Sequence, residues 1–74
     1  MKANKAYRPL NGWIDQMVDH YGSQRALAKA ANVKEPSVSD WVNGKTLPSL
    51  RSLLRIERDS RKKFKAKEIR PELF

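Results

Sequence analysis

Residues 24–41 place the strongest constraint on the fold, because small and apolar residues occur there only where two short helices would have to meet. Ala28 is small enough for a second helix to cross closely above it. Asn32 falls in the intervening turn, where φ is often positive and asparagine is the most tolerant residue after glycine. The residues expected inside the angle between the helices are Val33, Val38 and Trp41. The spacing predicts a helix-turn-helix, with helices over about 23–31 and 35–42.

The flanking sequence predicts further helices, so the chain is expected to be an all-α bundle. A first helix is expected to begin with Asn11 as its N-cap and to end at Gly22. Its buried stripe would be Ile14, Met17, Val18 and Tyr21, at i, i+3, i+4 and i+7. The second helix, capped by Ser23, is expected to bury Ala26, Leu27 and Ala30. A fourth helix from Pro48 to about Ser60 is expected to bury Leu50, Leu53, Leu54 and Ile56.

The two ends of the chain are less periodic. Residues 1–9 are interpreted as an irregular basic arm, and residues 10–74 as one domain. In the tail, the alternation over 64–68 is compatible with an edge strand. We favour one helical turn over 66–69 instead, ended by Pro71, because the residue before a proline resists helical geometry.

Apolar residues of the tail are expected to complete the core or to form a dimer contact. Phe64 and Ile69 are assigned to the core, and Trp13 is expected to pack against the tail. A dimer contact is left to the fourth helix or to the tail, where Leu73 and Phe74 supply further apolar surface.

Length and charge restrict the classes of function. The chain has 74 residues and no cysteine, so one small core must hold it together without disulfides or a thiolate metal site. The only histidine, His20, makes a zinc site improbable. No apolar run has transmembrane length, so a cytoplasmic location near the nucleoid is expected. The formal net charge of +8 suits a polyanionic partner, and residues 45–70 hold ten of the basic residues against three acidic ones.

The second helix of a helix-turn-helix most often lies in the major groove of DNA and presents its outward side chains to base edges. The outward set opposite Val38 and Trp41 consists of Lys34, Glu35, Pro36, Ser39 and Asp40. The carboxylates of Glu35 and Asp40 can accept a hydrogen bond from the amino group of cytosine, and Pro36 can contact a thymine methyl. The alternative is that Glu35 interacts with the helix dipole and that Asp40 is solvated.

Other residues are candidates for phosphate contacts, which orient a protein on DNA without reading sequence. The N-terminus of the second helix offers amide groups together with Ser23, Gln24 and Arg25. The residues that flank the recognition helix are Ser37, Asn43, Lys45 and Thr46. The alternative for Ser23 is a plain N-cap, which is compatible with the same phosphate contact. The basic run 58–67 is either a second DNA-contacting face or, as we favour, a solvated edge.

Three segments carry a resemblance to a known family: residues 21–30 (Tyr-Gly-Ser-Gln-Arg-Ala-Leu-Ala-Lys-Ala), 38–41 (Val-Ser-Asp-Trp) and 69–74 (Ile-Arg-Pro-Glu-Leu-Phe). The chain resembles small phage Cro-type repressors and the related Cro/YdaS-like bacterial regulators, some of which are antitoxins. The resemblance implies a lambda-repressor-like fold of four or five helices and a repressor that binds a palindromic operator as a dimer. The chain departs from the family pattern in having Asn32 in place of the usual glycine and Lys34 in place of a Ser or Thr cap.

The leading hypothesis is therefore a Cro-type transcriptional repressor that binds double-stranded operator DNA as a homodimer, with weak self-association in the absence of DNA. The alternatives are an antitoxin-type autoregulator, a helix-turn-helix scaffold used for protein–protein interaction, and a non-specific architectural DNA-binding protein. No arrangement of nucleophile and base and no phosphate-binding glycine loop is present in the sequence. We expect no enzymatic activity, no cofactor or metal, no small-molecule ligand and no membrane partner.

Overall fold

The computed structural model describes residues 8–74, and the side chains of residues 12–74. In this range the chain forms five α-helices, which are α1 (Arg8–Tyr21), α2 (Gln24–Ala31), α3 (Glu35–Val42), α4 (Leu50–Asp59) and α5 (Ala66–Ile69). A 3-10 turn, Pro71–Leu73, follows them, and no strand occurs in the described range. The predicted all-α bundle with a helix-turn-helix is confirmed. No described helix is both long enough and apolar enough to cross a membrane.

The start of α1 was predicted wrongly. The helix begins at Arg8, so Asn11 lies inside it and is not its N-cap. Pro9 falls in the first turn, where the missing amide hydrogen costs nothing because no helical partner exists for it. Arg8 and Pro9 were assigned to the basic arm, whose residues 1–7 lie outside the described part of the chain. The end was predicted correctly: Gly22 follows the helix with φ +93°, and its amide donates to the Val18 carbonyl at 2.8 Å.

The helix-turn-helix has the predicted local geometry. Ser23 is the N-cap of α2, and its Oγ accepts a hydrogen bond from the Ala26 amide at 3.0 Å. Asn32 ends α2 in the left-handed conformation, with φ 59° and ψ 46°. The next amide, of Val33, donates to the Ala28 carbonyl at 2.9 Å and so returns the chain towards α3. An asparagine can therefore take the position that glycine usually occupies in such a turn.

The core lies where α2 contacts α1, α3 and α4. Its buried apolar residues are Ile14, Met17, Leu27, Ala28, Ala31, Val38, Trp41, Leu53, Ile56, Phe64, Ala66 and Ile69. On α2, the buried side is Leu27, Ala28 and Ala31, whereas Ala26 and Ala30 are only half-buried. The predicted buried side of α2 therefore differs from the observed one by part of a helical turn. The reason is that α1, α3 and α4 all pack on α2, so its buried face is wider than a single amphipathic stripe.

Leu54 was also assigned wrongly. The core face of α4 is formed by Ser52, Leu53 and Ile56, which are buried. Because successive residues of a helix are about 100° apart, Leu54 lies to one side of that face. Its side chain is 45% exposed, and Leu50 is half-buried.

The tail closes the bundle against α1 and α4. The Phe64 ring is buried and meets Trp13 edge to face, with 6.4 Å between ring centroids, as predicted. The Ala66 amide, at the start of α5, donates to Glu57 Oε1 at 2.8 Å. The helical turn over Ala66–Ile69 is confirmed, and the alternative edge strand does not form.

The last residues of α1 and α4 are joined by a hydrogen bond. The Tyr21 hydroxyl donates to Asp59 Oδ2 at 2.7 Å. Partial burial, and then the hydrogen bond to Asp59 and its negative charge, raise the pKa of the Tyr21 phenol well above its ordinary value of 10.0. The protonated phenol is therefore favoured in the folded protein.

This raised pKa predicts an alkaline loss of stability. Because the folded-state pKa lies above the unfolded one, the contribution is complete below about pH 10 and is lost as pH rises through the folded pKa. We expect urea denaturation to show a steeper loss of stability above about pH 10 in the parent protein than in Tyr21→Phe. In a Tyr7→Phe background, Tyr21 is the sole tyrosine. Its tyrosinate absorbance should appear only at a pH above the range in which an ordinary tyrosine ionises. Ordinary titration of Tyr21 in the folded protein would contradict this prediction.

Candidate nucleic-acid interface

The first turn of α3 is open to a ligand while its opposite face is buried. Lys34, Glu35 and Pro36 are exposed. Val38 and Trp41, on the other side of the helix, belong to the core. The remaining members of the predicted base-reading set, Ser39 and Asp40, are half-buried. Lys34, Glu35 and Pro36 thus lie at the start of α3, and Ser39 and Asp40 lie one turn further along the same short helix.

The N-terminus of α3 has no side-chain cap. Lys34 precedes the helix in an extended conformation, and no side-chain hydrogen bond from it caps the helix. The Ser37 amide instead donates to the Lys34 carbonyl at 2.9 Å. Pro36, in the first turn, contributes no amide hydrogen. The N-terminus of α3 therefore presents side chains to a ligand more than it presents backbone amide donors.

The two carboxylates of the candidate base-reading set have no side-chain partner among residues 12–74: neither Glu35 nor Asp40 forms an ion pair or a side-chain hydrogen bond there. The backbone at Asp40 is nevertheless held in place, because its carbonyl accepts from the amides of Lys45 at 2.8 Å and Thr46 at 3.5 Å. These carboxylates are available to accept hydrogen bonds from an external donor such as the amino group of cytosine.

A side-chain contact connects the base-reading set to the phosphate-contacting set. Asn43 Nδ2 donates to Ser39 Oγ at 3.4 Å. The two residues are four apart at the end of α3, and this spacing places side chains next to each other on a helix. The i, i+4 spacing in the sequence therefore indicates this contact, although our predictions assign Ser39 to base reading and Asn43 to phosphate contact.

The start of α2 offers a second contact point. Ser23 is exposed and its hydroxyl caps the helix, so the N-cap interpretation of this residue is correct. Gln24 is half-buried and Arg25 is exposed. Because the first amides of a helix lack carbonyl partners, this end of α2 favours an anion beside the Arg25 guanidinium.

The segment after α3 carries the other phosphate candidates. Asn43, Lys45 and Thr46 are exposed, and Ser37 on α3 is half-buried. Gly44, with φ +75°, turns the chain between them.

The loop that follows is held by a residue that sequence reasoning missed. Arg70 Nη1 donates to the Pro48 carbonyl at 2.9 Å, and Arg70 Nε contacts Glu72 at 2.7 Å. This guanidinium holds the pKa of the exposed Glu72 carboxyl below its usual range. Arg70 and Pro48 are 22 positions apart, so no local pattern marks the contact.

The described residues do not contain a group of three or more His, Cys, Asp or Glu side chains placed to hold a metal ion. His20 is exposed near the end of α1, and its ring meets Tyr21 and Phe64 edge to face, at 4.9 Å and 5.3 Å. The candidate interface is thus built of hydroxyl, amide, basic and carboxylate groups carried by α2, α3 and the following loop.

A family model described as bacterial toxin YdaS matches residues 14–74, which begin within α1 and include every residue of the candidate interface. This match agrees with the YdaS-like part of the resemblance and does not extend to Cro-type repressors. Searches of curated proteins and of solved structures gave no significant match.

Proposed function

The chain belongs to the family described as bacterial toxin YdaS, and within that family we propose that it acts as a sequence-specific DNA-binding repressor of Cro type. The observation that carries the proposal is the helix-turn-helix, whose α3 exposes Glu35 and Pro36 while it buries Val38 and Trp41. The net charge of +8 supports a polyanionic partner. We infer activity through binding, with no enzymatic step and no cofactor.

In this proposal α3 lies in the major groove, and the start of α2 and the loop after α3 contact phosphates on either side. The carboxylates of Glu35 and Asp40 read cytosine amino groups, and Pro36 contacts a thymine methyl. Arg25 and Lys45, both exposed, supply charge to the phosphate contacts. A carboxylate repels the DNA backbone, so Glu35 and Asp40 contribute to base discrimination more than to affinity.

The repressor is proposed to bind as a homodimer. One short helix reads few base pairs, so two copies on half-sites about 34 Å apart would supply the specificity. The tail offers the contact between copies, because Leu73 and Phe74 are 37% and 63% exposed. Two partly exposed apolar residues per copy form a small contact, which fits weak self-association that tightens on DNA.

The proposal is tested by selecting bound duplexes from a random DNA pool with the parent protein, Glu35→Ala and Asp40→Ala. We expect a palindromic consensus that relaxes at one position per half-site in each variant, because each carboxylate is assigned to one base contact. Asp15→Ala is the matched control, since Asp15 is an exposed carboxylate on α1. No enrichment would favour a protein-interaction scaffold, and equal affinity for any duplex would favour an architectural protein.

The family description favours a second candidate function, which is inhibition of bacterial growth. We propose that any such inhibition acts through the same DNA interface, by occupation of host promoters. Induced production of the parent protein should then slow growth, whereas Arg25→Ala/Lys45→Ala should not. Growth inhibition that persists in this double variant would show that toxicity does not depend on the proposed DNA interface. An antitoxin-type autoregulator would instead repress its own promoter without slowing growth.

A further inference from the structure

A groove that plays no part in the proposed DNA interface runs along α4. It encloses about 820 Å³ and is lined by Ala30 of α2 and by residues of α4 and of the loop that follows. No residue of the groove belongs to the candidate base-reading or phosphate-contacting sets. Ala30 lies near the C-terminal end of α2, whereas the phosphate candidates lie at its N-terminal end.

The groove contains an apolar strip. Leu50 and Leu54 are one helical turn apart on α4, and Leu54 is 45% exposed. The half-buried Ala30 extends this strip onto α2. The exposed large apolar residues of the described chain are Leu54, Leu73 and Phe74, and of these Leu54 lines the groove.

Guanidinium groups line the groove beside the strip. Arg51, Arg55 and Arg58 follow at i, i+4 and i+7 on α4, and Arg61 lies just beyond its end. All four are exposed, and none forms an ion pair with a carboxylate within residues 12–74. The carboxylate that lines the groove, Asp59, accepts the hydrogen bond of the Tyr21 hydroxyl.

The backbone at the end of the groove is strained. Arg61 and Lys62 adopt φ of +56° and +69°, in the left-handed region that is unfavourable for residues with a Cβ. Two hydrogen bonds hold this turn, from the Arg61 amide to the Arg58 carbonyl at 3.1 Å and from the Lys62 amide to the Glu57 carbonyl at 2.7 Å. An arginine thus occupies a position that glycine would adopt without strain, and its side chain lines the groove.

From this juxtaposition we propose that the α4 groove docks an acidic amphipathic helix of a partner protein. Apolar residues of that helix, spaced i and i+3 or i+4, would pack on Leu50 and Leu54. Its carboxylates would pair with Arg51, Arg55 and Arg58, and guanidinium–carboxylate pairs can form two parallel hydrogen bonds.

Two other occupants fit the groove less well. DNA phosphates could pair with the arginines, but they would gain nothing from the exposed Leu54 beside them. A second copy of this chain offers the acidic outer face of α1, with Asp15 and Asp19, but that face exposes no large apolar residue among the described side chains. Its tail exposes Leu73 and Phe74 beside Glu72, but the proposed contact between the tails of the two copies already uses these residues. An acidic helix that also carries an apolar strip matches both features of the groove.

The proposal is tested with a displayed library of random peptides of ~14 residues, about four helical turns, selected on the full chain. We expect the enriched peptides to combine Asp or Glu with apolar residues at i and i+3 or i+4. Binding of a labelled selected peptide should weaken at least about tenfold in both Leu54→Ala and Arg55→Ala, because central interface residues carry most of the binding energy. Both residues are exposed, so neither change removes a core contact.

Lys65→Ala is the matched control, because Lys65 is exposed and does not line the groove. It should change peptide binding less than about twofold, since surface charges away from an interface act weakly. The proposal is overturned if no peptide is enriched, if enriched peptides are acidic without an apolar pattern, or if Leu54→Ala binds as the parent does.

Two further measurements exclude the other occupants. Arg55→Ala should weaken binding to duplex DNA of arbitrary sequence no more than Lys65→Ala does, and a larger loss would assign the groove to DNA. Sedimentation should show that Leu54→Ala leaves self-association unchanged, and loss of a dimer would assign the groove to a second copy. The peptide assay contains no DNA, so its result is independent of the proposed repressor function.

Discussion

Replacement of Trp41 by alanine should strongly destabilise this protein. Trp41 is 4% exposed on α3 and belongs to the core cluster between the helices. Removal of a buried tryptophan side chain costs about 3–5 kcal/mol in lost burial and residual cavity. A domain of this size has a free energy of unfolding of roughly 4–11 kcal/mol, so the substitution removes much of that total. Urea denaturation followed by far-ultraviolet circular dichroism measures the loss.

Two variants control this experiment. Trp41→Phe keeps an aromatic ring in the same space and should lose distinctly less stability. Lys29→Ala changes an exposed residue of α2 and should stay within about 0.5 kcal/mol of the parent. If Trp41→Ala unfolds at the same urea concentration as the parent, Trp41 does not hold α3 in the bundle and is instead free to contact a ligand.

The second large effect concerns DNA. For a dimer, Arg25→Ala/Lys45→Ala removes four proposed phosphate contacts, so the slope of log affinity against log salt should fall by about 3–4. If both proteins bind DNA equally at about 1 M salt, this slope difference lowers the affinity of the variant by about 10³- to 10⁴-fold at about 0.1 M salt. Fluorescence anisotropy of a labelled duplex over a salt series measures both quantities.

Lys62→Ala/Lys65→Ala is the matched control, because it removes the same charge from exposed residues outside the candidate interface. If it changes the salt slope as much as Arg25→Ala/Lys45→Ala, DNA attraction depends on net charge or on the basic run 58–67 as much as on the helix-turn-helix. A slope that neither variant changes would place the phosphate contacts elsewhere on the protein.

The helix-turn-helix could be predicted because its determinants are local. A serine that caps α2, an asparagine with positive φ at residue 32 and a proline in the first turn of α3 each act within a few residues. Val38 and Trp41 are three apart, so their shared burial also follows from helix geometry. The candidate interface residues could be named for the same reason, since the outward face is the complement of the buried one.

The errors arose where distant parts of the chain decide the outcome. Leu54 is apolar and lies in an amphipathic helix, yet Ser52 takes a place on the core face beside the Ser49 hydroxyl, and Leu54 stays outside. The start of α1 was missed because Pro9 is equally compatible with an arm and with a first helical turn. The contact between Arg70 and Pro48 joins residues 22 positions apart, so the spacing of neighbouring residues in the sequence does not indicate it.

The contact between Trp13 and Phe64 has a consequence for how the protein matures during translation. The helix-turn-helix occupies the middle of the chain, but its core is completed by Phe64, Ala66 and Ile69. A nascent chain that has exposed only α1 to α4 lacks these residues and leaves apolar surface on α1 uncovered. Since stability in so small a domain depends on the whole core, α3 becomes firmly held only after the tail has left the ribosome. The folded helix-turn-helix therefore arises after the tail emerges rather than when the motif itself emerges.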